Sequence, residues 1–432
     1  MAKPTLALIP ASQGSKVFSV LPSSGVGDFD FSRGSAATRI NSQGLIETVV
    51  SGQSRLDYPL IDGKVVGCPH HILEPARTNL VTYSEDFSNP NWIKAGTSVV
   101  SDAAISPDGS LNASKLVEDI ANSQHYLQRQ GLAVTANKYS YSLFAKKGGR
   151  NKIRLFLSNY FTSGTNAIFD LENGTVVSTG TEATATITLM TDGFYKCTIT
   201  SVSNAIAGSN AFCEVFLVND SDANTYTGDG TSGVYIYGAQ VEQGSYPTSY
   251  IPTTTTVVTR SAETATGAGD ATTFSDSEGV LMFEGSALAN DGTFRILSLS
   301  NGGTSNEIKI QLSSVDNTIG YGVVVGGFPQ IDRFYTTNST LLNNKIAAKY
   351  KENDFSLFVN GFEVIVDTNG SVFSQGTLSE LSFERGNNTS PFYSSTKQLQ
   401  YYNSALTDSE LEKLTSWISF TDMANGQLYT IE

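Results

Sequence analysis

The sequence predicts an all-β protein built from two antiparallel β-sandwich domains in series, and three observations support this. Only 16% of the 432 residues are charged, while 19 are tyrosine and 23 are phenylalanine, and strands favour aromatic side chains. Runs of alternating polar and apolar residues recur along most of the chain. Glycine- and asparagine-rich turns separate these runs with no helical intervals, which is typical of sandwiches rather than of βαβ units.

The first 78 residues are predicted to form a separate segment. Phe29 and Phe31 alternate with Asp28 and Asp30, which is the period-two pattern of a strand. Glycines and serines break the segment into short pieces that are too small to fill a core of their own. We therefore expect residues 1–78 to be an extended segment that packs on the next domain or on a partner protein.

Residues 79–257 are predicted to form the first sandwich. The run Ile153-Arg-Leu-Phe-Leu157 alternates like a half-buried strand, and Thr191-Asp-Gly193 stands between two alternating runs, where Asp-Gly indicates a hairpin turn. The segment Tyr246–Pro252 then leads into four threonines. Such a Pro/Thr stretch favours extended backbone and does not continue a sheet interior, so we place the domain boundary at residue 257.

Residues 258–432 are predicted to form a second, jelly-roll-like sandwich that ends in a short helix. Asn360-Gly361 between two strand-like runs is the sequence of a type I′ hairpin turn. Near the end of the chain, Thr407 and Glu410 form a capping box that begins the helix. Leu411 and Ile418 recur on one helical face, so the helix is expected to dock on the preceding sandwich.

The charge balance and the absence of known motifs exclude several classes of function. A net charge of −14 repels phosphate backbones, so we expect no nucleic-acid partner. No run of about 18 apolar residues is present, so we expect no membrane partner, and the N-terminus lacks the pattern of a cleaved signal peptide. P-loop, zinc-protease and esterase signatures are also absent. We predict no enzyme activity, no catalytic residues and no cofactor.

Metal and disulfide chemistry have little support in the sequence. The three cysteines match neither a zinc pattern nor a disulfide framework, so we expect free thiols. Three aspartates cluster in residues 219–230, where calcium ligands and solvated turn residues are both compatible with the composition. Their spacing departs from an EF-hand loop, and we predict solvated turns and no metal site.

Short blocks within residues 4–262 resemble blocks that recur in bacteriophage virion fibre and appendage proteins. The blocks that carry the resemblance are Phe31–Arg39, Gly44–Glu47, Ile72–Leu80, Gly233–Gln243 and Pro247–Pro252. In that family, the block like Ile72–Leu80 opens a carbohydrate-binding-module-like β-sandwich. The resemblance implies a virion protein that docks on other virion proteins through residues 1–78. From its few cysteines and the missing signal-peptide pattern, we expect it to be made in the host cytoplasm.

The C-terminal block resembles the laminin-G/concanavalin A-like lectin superfamily, on its 355–361 hairpin and its closing 399–411 run. That fold also serves as scaffold, so it does not establish a function. Sugar sites combine aromatic faces with a few convergent polar groups, and the predicted loops 327–335 and 385–393 contain this mixture.

We therefore predict a carbohydrate-binding site formed by both loops at one edge of the second sandwich. Its residues are Asp332, Arg333, Tyr335, Asn388 and Tyr393. In this site a sugar ring stacks on one tyrosine, and Asp332 and Asn388 hold its hydroxyl groups. Plain core and turn packing is the alternative reading of the same residues.

Three functions remain, in order of preference. The first is a non-enzymatic virion appendage, a head or tail fibre, that displays lectin-like sandwiches to glycans on the host surface. The second is a purely structural virion or decoration protein without a ligand. The third is a polysaccharide-degrading enzyme that carries binding modules. By resemblance to other phage fibres we expect a homo-oligomer, with a trimer favoured.

Overall fold

The predicted all-β class is confirmed by the structure, a computed structural model that describes residues 2–9, 11–419 and 421–423. Nearly all of the regular structure in these residues is β-strand, arranged as two large sandwiches joined by smaller sheets and ladders. No described helix is long and apolar enough to cross a membrane.

The first sandwich consists of two six-stranded antiparallel sheets around one apolar core. The front sheet has the strand order Trp92–Ala95, Tyr126–Val134, Gly208–Val218, Lys152–Ser158, Asn166–Asp170 and Thr175–Thr179. The back sheet has the order Thr97–Ile105, Leu111–Glu118, Gly233–Gln243, Tyr139–Lys147, Tyr195–Ser201 and Ala183–Leu189.

Local patterns in this sandwich behave as predicted. Ile153, Leu155 and Leu157 are fully buried in its core, as their alternation requires. The Asp-Gly turn joins two paired strands, with Asp192 at φ 57° and Gly193 at φ 76°, the left-handed conformation that such hairpins need. The three thiols are free, and those of Cys197 and Cys213 are buried.

The second sandwich has a five-stranded and an eight-stranded sheet. The five-stranded sheet has the order Phe328–Thr336, Thr318–Val325, Glu307–Leu312, Arg295–Ser300 and Glu380–Ser382. The eight-stranded sheet contains, in order, Phe362–Asp367, Phe355–Val359, Asn344–Lys351, Glu278–Ala287, Ser394–Tyr402, His70–Ile72 and Arg55–Asp57, with Leu6–Leu8 paired to Ser394–Tyr402. The Asn360-Gly361 turn lies where predicted, and both residues have positive φ.

The prediction of a loop over residues 327–335 is wrong. Phe328–Thr336 is the outer strand of the five-stranded sheet and pairs with Thr318–Val325. The glycine and proline in this stretch suggested a turn, but a sheet edge tolerates proline because one side of the strand makes no ladder hydrogen bonds. Residues 385–393 lie outside the strands, as predicted.

The predicted C-terminal helix is present as Asp408–Thr415, with both hydrogen bonds of its capping box. Leu406 and Leu411 are buried in a small core between the helix and the eight-stranded sheet. The helix ends before Ile418, which is 90% exposed. The predicted apolar face is therefore correct at Leu411 and wrong at Ile418.

The N-terminal segment contributes strands to the sheets of the fold rather than packing on the outside of them. Three of its strands belong to the eight-stranded sheet of the second sandwich. Others pair with each other or with Thr264–Thr266; these are Ala11–Gln13, Lys16–Phe18, Phe29–Ser32, Ala37–Ile40, Ile46–Val49, Leu60–Ile61 and Lys64–Val65. The sequence indicated that this segment must pack against another part of the protein. It did not indicate that one partner, the strand Ser394–Tyr402, lies near the end of the chain. Short ladders complete the fold: Arg77–Asn79 with Val258–Arg260, and Asn122–Gln124 with Thr225–Thr227.

A buried ion network, here called the core network, ties the segment to the region between the sandwiches. Its five side chains are all at most 3% exposed: Arg33, Arg55, Glu74, Arg260 and Glu263. Glu263 accepts from Arg33 Nη1 at 2.7 Å and also pairs with Arg55. Glu74 lies 2.8 Å from Arg55 Nη2 and 2.7 Å from Arg260 Nη1.

The charges in the core network depend on one another. Burial alone would raise the pKa of Glu74, but the guanidinium groups of Arg260 and Arg55 outweigh it and hold that pKa well below its usual range. Removing one partner from a buried pair leaves an uncompensated charge, which is strongly destabilising.

We expect Arg55→Met to lower the free energy of unfolding by about 3–5 kcal/mol, because Glu74 and Glu263 both lose a partner. Urea denaturation measures this change. Arg39→Met is the matched control, because Arg39 pairs with Glu47 at the surface and its loss should cost less than about 1 kcal/mol. Equal effects of the two substitutions would contradict the proposed importance of the core network.

His71 is an unusual buried histidine beside this network. Its ring packs against Phe31 and Phe383, and neither ring nitrogen makes a hydrogen bond to any residue that the structure describes. Burial lowers its pKa to about 4. The unfolded chain therefore takes up a proton at this site as the pH falls below about 6.5, while the folded chain does not until about pH 4.

His71 should make folding stability fall as the pH drops through this window. When the pH is lowered from 7.5 to 5, the unfolding free energy of His71→Leu should rise by about 2 kcal/mol relative to that of the wild type, at about 1.4 kcal/mol per pKa unit. Urea denaturation of both proteins at both pH values measures the difference, and contributions common to the two proteins cancel. A difference that stays constant with pH would show that His71 is not kept neutral.

Candidate functional site

The outer face of the front sheet carries aromatic and polar side chains in place of the usual small polar ones. On four neighbouring strands the core positions are occupied by residues such as Leu127, Leu155, Ala167 and Val215. Side chains alternate across a strand, so the intervening residues lie on the opposite face. The set of residues there, called the aromatic platform, is Tyr126, Gln128, Arg154, Phe156, Asn166, Phe212, Glu214 and Phe216.

Strand register places these residues in adjacent rows. One row contains Tyr126, Phe216 and Arg154, which are directly opposite one another on consecutive strands. The next row contains Gln128, Glu214, Phe156 and Asn166. Neighbouring strands lie about 4.8 Å apart, so each row brings its side chains into mutual contact.

Arg154 stands at the centre of the aromatic platform. Its guanidinium carbon lies 5.0 Å from the ring centre of Phe156 and 5.8 Å from that of Phe216, within cation–π range. Its Nε donates to Asn166 Oδ1 at 3.1 Å. The ring centres of Tyr126 and Phe216 are 4.8 Å apart. The rings and the guanidinium plane therefore hold one another in place.

Glu214 supplies a carboxylate next to these rings. Its side chain is buried by its neighbours and accepts a hydrogen bond from the Gln128 amide. Burial raises its pKa, and hydrogen bonds and the nearby Arg154 charge oppose that rise. Burial likewise lowers the pKa of Arg154, and Glu214 opposes this shift. The two charges stabilise each other without a direct ion pair, which leaves the face polar and close to neutral.

Half-buried rings beside amide, guanidinium and carboxylate groups can bind a flat ligand that is apolar on one face and polar at its edge. Tyr126, Phe156 and Phe212 remain partly exposed for such contact. In the part of the chain that the structure covers, no group of three or more His, Cys, Asp or Glu residues could hold a metal ion.

The aspartates within residues 219–230 contact groups of the protein itself. Asp222 pairs with Lys152 at 2.6 Å, and Asp229 accepts the backbone N–H groups of Thr231 and Ser232. The Asp229 contacts are those of a turn, whereas Asp222 forms an ion pair with a neighbouring strand.

The structure does not bring the five sequence-predicted site residues together. Asp332, Arg333 and Tyr335 lie on the outer strand of the five-stranded sheet, where Asp332 is 3.5 Å from Lys309 Nζ. Asn388 and Tyr393 belong to the loop that follows the opposite edge strand, Glu380–Ser382. Their role in sugar binding stays a prediction, but they do not form one site.

The distance between the two groups follows from the register. Three strand spacings, about 14 Å, separate the strand of Tyr335 from that of Ile296. Ile296 donates its backbone N–H to Ser390 at 3.0 Å, so the loop with Asn388 and Tyr393 lies on the far side of Ile296.

The aromatic platform was missed by the sequence analysis, although part of its signal was present. The alternation over residues 153–157 assigns the leucines to the core and therefore Arg154 and Phe156 to the exposed face. An outward phenylalanine next to an outward arginine is unusual for a solvated strand. Gln128 and Glu214 come from distant strands, and only the register shows that they are neighbours.

No family model and no curated protein matches the chain. Among solved structures, it is similar to the CBM40 of Ruminococcus gnavus IT-sialidase bound to α2,3-sialyllactose, with 20% identity over 35% of this chain and 88% of that chain and a TM-score of 0.30. It is also similar to domain 4 of AbnA, a GH43 extracellular arabinanase from Geobacillus stearothermophilus, in complex with arabinotriose. Here the identity is 15% over 36% of this chain and 73% of that chain, and the TM-score is 0.28. A third is the botulinum neurotoxin serotype G binding domain, with 11% identity over 35% of this chain and 39% of that chain and a TM-score of 0.27.

Proposed function

We propose that this chain is a non-enzymatic appendage of a bacteriophage virion that binds glycans of the host surface through the aromatic platform. One observation supports the glycan-binding part above all: Arg154 lies between two phenylalanine rings, next to Asn166, Gln128 and Glu214, on a rigid sheet face. The virion part rests on the resemblance of the blocks within residues 4–262.

Sugars suit this surface on physical grounds. A pyranose ring has C–H groups that pack on an aromatic face, and its equatorial hydroxyls need donors and acceptors around the rim. Phe156 and Tyr126 offer faces, while Arg154, Asn166 and Gln128 offer both kinds of polar group. Because these side chains stand on strands rather than on mobile loops, binding costs little ordering of the protein.

The arrangement of the N-terminal segment is compatible with docking on other virion proteins. Several of its strands are short, and its 2–9 and 11–32 stretches lie near the second sandwich. Repeating a weak sugar contact over several copies raises avidity without improving any single site, so an oligomeric appendage fits this function.

We expect the purified full-length chain to form a homotrimer. Multi-angle light scattering should return about three times the 46.1 kDa of one chain. A mass equal to a single chain at micromolar concentration would contradict self-assembly in solution. A mass equal to another multiple of one chain would confirm self-assembly and contradict the trimer.

Phe156→Ala should abolish the main aromatic face of the platform. We expect a loss of about tenfold or more in affinity for whichever glycan the wild type binds on a glycan array, with the dissociation constant measured by calorimetry. Arg154→Lys should also weaken binding, since an ammonium group neither stacks as a plane nor offers the same fork of donors.

Phe328→Ala is the matched control, because Phe328 is a 75% exposed phenylalanine on the other sandwich and its loss should leave binding unchanged. Tyr335→Ala and Tyr393→Ala test the residues predicted from the sequence. Full glycan binding by Phe156→Ala would overturn the platform assignment. A wild-type protein that binds no glycan would favour the purely structural virion protein.

A further inference from the structure

A pocket far from the front sheet lies between the N-terminal segment and the back sheet of the first sandwich. Its volume is about 340 Å³, at the small end of the roughly 300–1,000 Å³ of ligand pockets. Residues 38–40, 57–60, 72 and 74 of the N-terminal segment line it, together with residues of the back sheet and residues 246–250 of the Pro/Thr joint, residues 246–257. We call it the Asp57–Lys196 pocket. Three parts of the chain meet there, and ligand sites occur preferentially at such junctions.

Much of the wall of the Asp57–Lys196 pocket is apolar. Ile40, Leu60, Ile72 and Leu288 line it and are only half-buried. Their side chains therefore keep apolar surface that a ligand can cover, and covering such surface is favourable.

Four charged side chains line the pocket, and the charges of two of them are matched within the protein. Arg39 pairs with Glu47 at 2.9 Å, and Glu74 pairs with two guanidinium groups of the core network. Asp57 and Lys196 are different, because neither has an oppositely charged group within 4.0 Å among the described residues. The pocket therefore contains one carboxylate and one ammonium group that lack a direct ion-pair partner.

Asp57 uses only part of its capacity to accept hydrogen bonds. Its Oδ1 accepts the backbone N–H of Ile40 at 2.7 Å. Its Oδ2 makes no hydrogen bond to any described residue and is not sealed from solvent. Burial raises the pKa of Asp57 to about 6, and the Ile40 N–H and the Arg55 charge oppose this rise. The carboxylate is therefore mostly ionised at pH 7.5 and has one oxygen available to a ligand.

Lys196 carries the positive charge of the pocket. Cys197 is a core residue, so alternation places Lys196 on the outer face of the back sheet. There it lies between Phe144 and Thr188 of the neighbouring strands. Its Nζ donates to the Thr248 carbonyl at 3.0 Å, and an ammonium group has three protons to donate. Burial lowers its pKa, and nearby carboxylates oppose this shift.

Two separated charges of opposite sign restrict the ligand of a small, largely apolar pocket. A ligand with one charge would attract one of the two groups and repel the other. A neutral ligand would displace water and leave both charges without a counter-charge, which is costly. A ligand that carries both signs supplies a counter-charge to each group, and its apolar part covers the wall.

We propose that the Asp57–Lys196 pocket binds a free zwitterionic α-amino acid with an apolar side chain. The ammonium group of the ligand donates to Asp57 Oδ2, and its carboxylate accepts from Lys196 Nζ. Its side chain packs on Ile40 and Leu60. This site uses no residue of the aromatic platform and does not depend on the proposed glycan binding.

The charges of the ligand give the first test. Leucine, methionine and phenylalanine are titrated into the full-length protein at pH 7.5 and followed by calorimetry, and we expect at least one to bind. N-acetylation removes the ammonium charge and amidation removes the carboxylate charge, so each should weaken that amino acid about tenfold or more. The proposal is overturned if none of the three binds at millimolar concentration, or if either derivative binds as well as its parent.

Two substitutions test the protein side of the same contacts. Asp57→Asn keeps an acceptor for the Ile40 N–H but removes the charge, and Lys196→Met keeps most of the apolar stem. Each should weaken binding about tenfold or more. Arg39→Met is the matched control, because Arg39 lines the same pocket and its charge is already paired, so its affinity should match that of the wild type. Melting temperatures verify folding, and the ligand derivatives test the site without any substitution.

Acidification gives a readout that a purely structural role of Asp57 would not change. Between pH 7.5 and pH 5 the free protein takes up a proton at Asp57, whose pKa is about 6, and this proton competes with the ligand. The affinity of the wild type should therefore fall about tenfold, and that of Asp57→Asn should stay constant. The charged groups around Asp57 are Arg55, Glu74 and Lys196, and none of them loses its charge over this range. Wild-type affinity that does not change with pH would overturn the role of Asp57.

Discussion

The core network is the interaction on which the rest of the structure depends. Glu74 comes from the N-terminal segment and Glu263 from the chain just after the joint. The Arg55 guanidinium bridges the two carboxylates, while Arg33 pairs with Glu263 and Arg260 pairs with Glu74. All five are buried, so none can exchange its partner for water. The network therefore fixes the region between the sandwiches.

The sequence predicted those parts of the fold that local patterns determine. Alternation located strands such as Lys152–Ser158, and the Asn360-Gly361 and Asp192-Gly193 turns lie where their chemistry placed them. Strand partners were not predictable in this way. Leu6–Leu8 pairs with a strand almost 400 residues later, and nothing within three residues specifies such a partner. The edge strand Phe328–Thr336 was missed because its glycine and proline are also typical of turns.

The candidate sites show the same division between local and long-range information. Arg154 and Phe156 could be assigned to an exposed face from alternation alone, but Glu214 reaches them only through the register of a strand 60 residues away. Tyr393 was chosen for its residue type, and it lines a surface recess together with Arg77 of the N-terminal segment and Tyr246 of the joint. Residue type therefore indicated a chemistry, while topology decided which residues share a surface.

The net charge of the chain also bears on the aromatic platform. A net charge of −14 repels polyanions at a distance, although salt screens this repulsion beyond about 8 Å at physiological ionic strength. Within that range, the charged groups of the binding surface determine its electrostatic interaction with a ligand. On the aromatic platform, the Glu214 carboxylate offsets the charge of the Arg154 guanidinium. The aromatic platform therefore offers no uncompensated cation to an acidic sugar. For the proposed glycan binding, the long-range field and the local pairing both favour neutral glycans, and the aromatic rings supply the attraction that charge does not.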